Sequence, residues 1–221
     1  MPSPNLKVSE IFASVQGEGN LSGKPAIFVR FFGCNLNCPF CDSKYAWKKG
    51  GEYKSLSVSE VVKEIKNLPS HAKLIIFTGG EPLIQNHKLL AMLARELHKE
   101  LFTIAIETNG TVPFSSDFPQ SAVDWVVVSP KTEDFTINTG DELKVLYQGQ
   151  SVRALKRLRE KTDFRHYFLQ PIFPEGNLQD LENAAEYMRR VQKAVKECCN
   201  ILQQLPAWRL SFQVHKVAGL R

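Results

Sequence analysis

No stretch of this 221-residue chain approaches the 18 or more apolar residues that a membrane-spanning helix needs, and Met1 to Phe12 lacks the apolar core of a secretory signal. Both absences lead us to expect a cytoplasmic protein with no membrane partner. There is no internal repeat, low-complexity linker or charged tail. Lys+Arg 28 against Asp+Glu 23 leaves a net charge of +5, spread along the chain. That balance suits an anionic small ligand and does not by itself require direct contact with nucleic acid. Cysteine is scarce and odd in number: there are five, and three of them fall within eight residues, whereas a disulfide framework distributes pairs through the chain. Reducing surroundings and metal or redox chemistry fit better.

What is present is enough for a core. At 221 residues, 43% hydrophobic and 23% charged, the chain fits one domain spanning residues 1–221. Short β-rich runs alternate with longer amphipathic segments. Strands are expected at Ala26 to Phe32, Lys73 to Thr78, Phe102 to Glu107, Val123 to Ser129, Leu143 to Tyr147, Tyr167 to Gln170 and Leu210 to Val214. Helices are expected at Val58 to Asn67, opened by the capping box Ser57 to Glu60, at Lys88 to Glu100, at Ser151 to Lys161 and from Leu178 to about Val195. Such alternation predicts an α/β fold with a largely parallel sheet, whose ligands sit beyond the carboxyl ends of the strands. Thr78-Gly79-Gly80-Glu81-Pro82, Glu107-Thr108-Asn109-Gly110, Ser129-Pro130-Lys131 and Gln170-Pro171 all fall at such ends, so one shared pocket is expected.

The loop Cys34-Asn35-Leu36-Asn37-Cys38-Pro39-Phe40-Cys41 has the spacing C-x3-C-x2-C. Three thiolates can hold three irons of a 4Fe-4S cubane and leave the fourth open. An open iron can chelate the amino and carboxylate groups of S-adenosylmethionine and deliver an electron to its sulfonium. Cys38 to Cys41 alone also fits a thioredoxin-type dithiol, and three cysteines with a distant histidine fit structural zinc. Neither uses the whole spacing. Cys198 and Cys199 read as packing residues near a helix end.

The cysteine loop together with Gly79-Gly80-Glu81-Pro82 resembles the radical S-adenosylmethionine superfamily. The resemblance implies an incomplete, modified (β/α)6 barrel. It also implies that Phe40 lies against adenine and that the Gly79 to Pro82 backbone receives the methionine amino group. Narrower segments resemble the 7-carboxy-7-deazaguanine synthase family: Phe12-Ala13-Ser14-Val15-Gln16-Gly17-Glu18-Gly19, Phe28-Val29-Arg30, Cys41-Asp42-Ser43, Ser129-Pro130-Lys131, Gln170-Pro171 and Gln213-Val214-His215-Lys216. That family converts 6-carboxy-5,6,7,8-tetrahydropterin to 7-carboxy-7-deazaguanine, with ring contraction and loss of ammonia, toward deazaguanine-modified tRNA bases.

On this resemblance, Val15, Gln16, Gly17, Glu18, Arg30 and Thr78 are expected to hold the pterin. S-adenosylmethionine is expected against Phe40, Cys41, Asp42, Gly80, Ser129, Pro130, Lys131, Gln170, Pro171, Ile172 and Phe173, and the cluster on Cys34, Cys38 and Cys41. Ser43 stands where the family has a threonine that ligates Mg2+, and its hydroxyl supplies the same hard oxygen. Chemically, a pterin edge of N–H donors and a carbonyl suits Gln16 and Glu18, and Arg30 can hold a carboxylate bidentately. The resemblance further implies a homodimer and a flavodoxin- or ferredoxin-like electron donor. His215, expected near the end of the last strand, is left outside the catalytic set. Two rival readings remain: an activase that makes a glycyl radical on a partner protein, and a zinc-binding module that contacts RNA.

Overall fold

The computed structural model describes residues 5–174 and 184–220. In chain order the elements are β1 (Leu6–Val15), β2 (Pro25–Phe31), β3 (Lys54–Leu56), α1 (Val58–Asn67), β4 (Leu74–Gly79), α2 (His87–Lys99), β5 (Thr103–Thr108), β6 (Trp125–Val128), β7 (Thr139–Tyr147), α3 (Val152–Glu160), β8 (Asp163–Pro171), α4 (Ala184–Leu202), β9 (Trp208–Leu210) and α5 (Val214–Ala218). All nine strands join one sheet in the order β3-β1-β2-β4-β5-β6-β7-β8-β9. From β2 to β9 every neighbouring pair is parallel, while β1 is antiparallel to β2 and β3. The two ends of this order do not pair with each other, so the barrel is incomplete, as expected.

Alternation along each parallel strand separates two layers. Ile27, Val29, Phe31, Ile75, Phe77, Ile104, Ile106, Leu143, Val145 and Leu169 join the main core with Val61 and Ile65 of α1 and Leu90, Leu93 and Leu97 of α2. The intervening residues point to the other face. There Phe12, Leu21, Ala26, Phe28, Leu74, Ile76 and Ala105 form a second apolar cluster against Trp125. Further along the same strands this inner face turns polar, at Arg30, Thr78, Glu107, Lys144 and Gln170. A sheet apolar on one face and mixed on the other builds a floor of side chains under a polar cavity.

Local sequence explains the helices that frame it. Ser57 accepts from the Glu60 N–H while Glu60 accepts from the Ser57 N–H, which closes the expected capping box. Asn86 caps α2 by accepting from the Lys88 and Leu89 N–H groups, and Ser151 caps α3 through the Ala154 N–H.

Several expectations need correction. β1 and β3 were not anticipated: β1 has no clean alternation, because its pairing shifts between Val8 and Glu10 and it is flanked on both sides by strands. The final strand ends at Leu210, and Val214 begins a short helix, because the Val214 N–H bonds to the Gly17 carbonyl instead of a sheet neighbour. The β5–β6 and β6–β7 connections carry no α-helix, so strand–helix alternation is incomplete there. α4 runs to Leu202, beyond the expected end. Residues 178–183 of the expected helix lie outside the described residues.

Candidate active site

The cavity opens over the carboxyl ends of the parallel strands and measures about 450 Å3. Cys34, Cys38 and Cys41 line it, all three partly exposed free thiols on the loop after β2. Hydrogen-bond donors converge on their sulfurs: the Leu36 N–H lies 3.4 Å and the Asn109 side-chain amide 4.0 Å from Cys34 Sγ, and Trp47 Nε1 lies 3.2 Å from Cys41 Sγ. N–H donors aimed at thiolates are how proteins stabilise and tune iron–sulfur clusters, so the donor set fits the group. Among the described residues, no three His, Cys, Asp or Glu side chains converge on a single-ion site. A cubane takes one thiolate per iron and does not require such convergence.

The Gly79 to Pro82 turn is laced to this loop. Gly80 N–H donates to the Phe31 carbonyl and Glu81 N–H to the Gly33 carbonyl at 2.8 Å. A Cβ on Gly80 would fall 2.0 Å from the Gly33 carbonyl oxygen, and one on Gly79, at φ +137, 2.2 Å from that of Phe31. Only glycines permit this approach. Glu81 is fully buried and accepts from the Leu83 and Asn109 N–H groups and the Thr108 hydroxyl at 2.7–3.0 Å. Its carboxylate therefore joins the ends of β4 and β5 and is not offered to a ligand. Burial pushes its carboxyl above the usual range despite these bonds.

On the opposite wall, the loop after β1 reaches across the cavity. Gln16 Nε2 donates to Glu107 Oε1 at 2.9 Å, and the Thr78 hydroxyl donates to Glu107 Oε2 at 3.0 Å. Glu18 pairs with Lys144 of β7 and accepts from Gln213 Nε2 at 3.1 Å. Burial alone would raise the Glu18 carboxyl, but Lys144 and then His215 outweigh it and hold it well below its ordinary value. For Lys144 the sign is reversed: burial would lower it, and Glu18 and Glu107 hold it above its ordinary value. Further around, Lys131 Nζ donates to Ser129 Oγ at 2.7 Å, and burial, then Lys144, lower its pKa.

Arg30 lies between the rings of Phe12 and Tyr45. Its Nε donates to Glu10 at 2.8 Å, and its NH1 donates to Ser43 Oγ at 3.2 Å. The Ser43 hydroxyl in turn donates to Asp42 at 3.3 Å. A hydroxyl and a carboxylate side by side are hard oxygen donors of the kind Mg2+ takes. The adjoining guanidinium means that a cation here needs a ligand's negative charge beside it.

Most of the expected site residues meet in this one cavity: Val15, Gln16, Gly17, Glu18, Arg30, Thr78, Phe40, Asp42, Ser43, Gly80, Ser129, Lys131, Gln170 and Ile172 line it with the three cysteines. Pro130, Pro171 and Phe173 do not. Phe173 packs with Tyr187 and Val191 and lies edge-on to Phe212. Gln170 lines the cavity while accepting from Ser211 Oγ at 2.6 Å.

Glu107, expected in the shared pocket through its strand-end motif, does line it, whereas sequence reasoning missed Lys144, whose only signal was a charged residue at an inward position of an otherwise apolar strand. That reasoning also placed the C-terminal segment on a strand. That segment instead folds over the cavity, with Gln213 bridging Glu18 and Asp42, Lys216 pairing with Asp42 at 3.1 Å, and His215 packed against Gly17. Cys198 sits in the main core, far from this chemistry.

Known proteins fit this geometry. The Radical SAM superfamily model matches residues 28–188. A 7-carboxy-7-deazaguanine synthase of Bacteroides thetaiotaomicron is 36% identical over 216 residues, covering 97% of this chain and 98% of its own. The enzyme of that name from Neisseria meningitidis is 34% identical over 228 residues, covering 99% and 95%. The crystal structure of QueE from Escherichia coli superposes with a TM-score of 0.69 at 26% identity, covering 96% of this chain and 95% of the other.

Proposed function

Because this chain belongs to the 7-carboxy-7-deazaguanine synthase family of the radical S-adenosylmethionine superfamily, we propose that it converts 6-carboxy-5,6,7,8-tetrahydropterin to 7-carboxy-7-deazaguanine. The observation that carries this reading is the sharing of one cavity by three cysteines and, on its facing wall, a ring of carboxylates, an amide and a guanidinium.

Cys34, Cys38 and Cys41 would hold the cluster, which together with bound S-adenosylmethionine would supply radical hydrogen-abstraction chemistry to the pterin. The chain's own residues position. Arg30, held by Glu10 and between two rings, presents its guanidinium toward the substrate carboxylate. Ser43 and Asp42 would hold Mg2+, which with Arg30 would offset the carboxylate's charge. Glu18 and Gln16 face the pyrimidine edge. Ser129, Lys131 and Gln170 border the S-adenosylmethionine side, and Phe40 offers a ring to adenine. α5, tied to Gly17 and Asp42, brings His215 and Lys216 to the wall of the cavity. The reaction also needs a one-electron donor, for which a flavodoxin- or ferredoxin-like protein is the expected class. A homodimer is the assembly we expect.

The test is anaerobic incubation of the reconstituted protein with carboxytetrahydropterin, S-adenosylmethionine, Mg2+ and reductant. Formation of 7-carboxy-7-deazaguanine is expected. Its absence from protein holding a full complement of iron and sulfide would reject the substrate.

A further inference from the structure

Lys144 is a buried cation for which the positioning roles above have no use. Its side chain is 6% exposed on the inner face of β7, and its Nζ pairs with Glu18 Oε2 and stands 3.8 Å from Glu107 Oε1. Glu107 is aimed by Gln16 and Thr78, and Glu18 by Gln213. All three charged groups line the cavity. Burying an ammonium between two carboxylates costs solvation that an apolar side chain would not, so a purely structural role explains the arrangement poorly. The carboxylates are acceptor-only while ionised.

We propose that Lys144 is a specificity-determining positioning residue, which pins Glu18 and Glu107 as paired ionised acceptors that read the N–H donors of a 2-amino-4-oxopyrimidine edge and reject a 2-oxo edge. The inference rests on the pterin reading above. A carbonyl in place of the amino group would set its lone pairs against a carboxylate and leave that acceptor unpaired. Without the ammonium, Glu18 and Glu107, 15% and 22% exposed, lose the cation they share and are no longer held toward one edge. Either can then turn away, so that the 2-oxo ring no longer meets a fixed, unpaired acceptor while the 2-amino ring loses one. The other charged groups that act on the pair are Asp42, Glu142, Lys131 and His215.

The experiment compares 6-carboxypterin with 6-carboxylumazine, its 2-oxo counterpart, on the full-length reconstituted protein. Binding is read by calorimetry and by competition against carboxytetrahydropterin turnover. Wild type is expected to prefer the 2-amino compound by about tenfold or more. Lys144→Met is expected to narrow that preference to within about threefold and to raise KM by roughly tenfold while kcat falls much less. Lys144→Arg, which keeps the charge, is expected to restore most of the preference. A wild-type ratio near one, an unchanged ratio in Lys144→Met, or a loss of kcat at constant KM overturns the proposal. If Lys144→Met melts too low for assay, Glu107→Gln carries the test: it exchanges one acceptor for an amide, and an unchanged ratio there overturns the proposal as well. Failure of the pterin reading is separate, since wild type would then form no 7-carboxy-7-deazaguanine.

Discussion

Gly19, in the loop after β1, and Glu142 of β7 meet so closely that a Cβ on Gly19 would lie 2.0 Å from Glu142 Oε2. Gly19 holds φ +65, and the neighbouring Asn20 N–H donates to the same carboxylate at 3.0 Å. Glu142 also accepts from Trp125 Nε1 at 2.6 Å, so the clamp is anchored in the floor of the barrel. Gly19→Ala therefore meets both a left-handed backbone and a clash. A loss of about 1–3 kcal/mol in denaturant unfolding is expected, with KM for the pterin rising as the Gln16 to Glu18 loop is displaced. Unchanged stability and KM would show that the clamp yields freely.

Glu81 receives three hydrogen bonds in full burial, and its removal leaves three donors without a partner. Glu81→Ala is expected to destabilise the protein by about 3–5 kcal/mol. The variant keeps the position-81 N–H that bonds to Gly33 but loses the carboxylate that braces this turn, so it should bind less iron after reconstitution even where it remains folded. Chemical denaturation and iron analysis check the two effects separately.

The Glu18–Lys144 pair makes a statement about pH. The Glu18 carboxyl is depressed in the folded protein, so its contribution is present above its ordinary 4.5 and is lost as pH falls through the depressed value. The Lys144 ammonium is raised, so its contribution is present below its ordinary 10.5 and is lost as pH climbs through the raised value. The pair is thus fully effective between these limits. At pH 7, Lys144→Met is expected to cost about 3–5 kcal/mol, and the deficit should shrink on acidification as an orphaned carboxylate is protonated. A deficit independent of pH from 5 to 8 would mean that the ammonium acts through packing alone.

The five cysteines divide into two groups by surroundings. Alanine at Cys34, Cys38 or Cys41 is expected to abolish S-adenosylmethionine cleavage and the brown colour of the reconstituted protein. Cys198→Ala is expected to retain both. Burial pushes the Cys198 thiol up to about 12, so in native protein it should resist alkylation at pH 8. Cleavage that persists in all three loop variants would contradict the cluster assignment, and rapid alkylation of Cys198 would contradict its burial.

How much of this was legible depends on the range of the interaction. Ser57 and Glu60 announced α1 because a capping box is satisfied within four residues. The spacing from Cys34 to Cys41 pointed to one shared site because a single short loop carries all three sulfurs, and the three do line one cavity. The central strands were legible because burial on both faces leaves continuous apolar runs such as Leu74 to Phe77. By contrast, β1 owes its place to antiparallel pairing on both edges, with β2 next along the chain and with the more distant β3. The segment from Gln213 to Lys216, expected at the end of the last strand, turns into a short helix where Gly17 and Asp42 supply its bonds.

The chain by itself thus determined the parallel α/β scaffold, the thiolate set and, through its motifs, the family, since these rest on local periodicity and fixed spacing. Only the tertiary structure decided what surrounds them. It turned Glu81 inward as a brace, set Lys144 between Glu18 and Glu107, and folded α5 over the opening. Each of these outcomes depends on charges and hydrogen-bond partners 27 to 195 residues apart, whose burial together decides which carboxylates stay ionised and which are consumed by the fold.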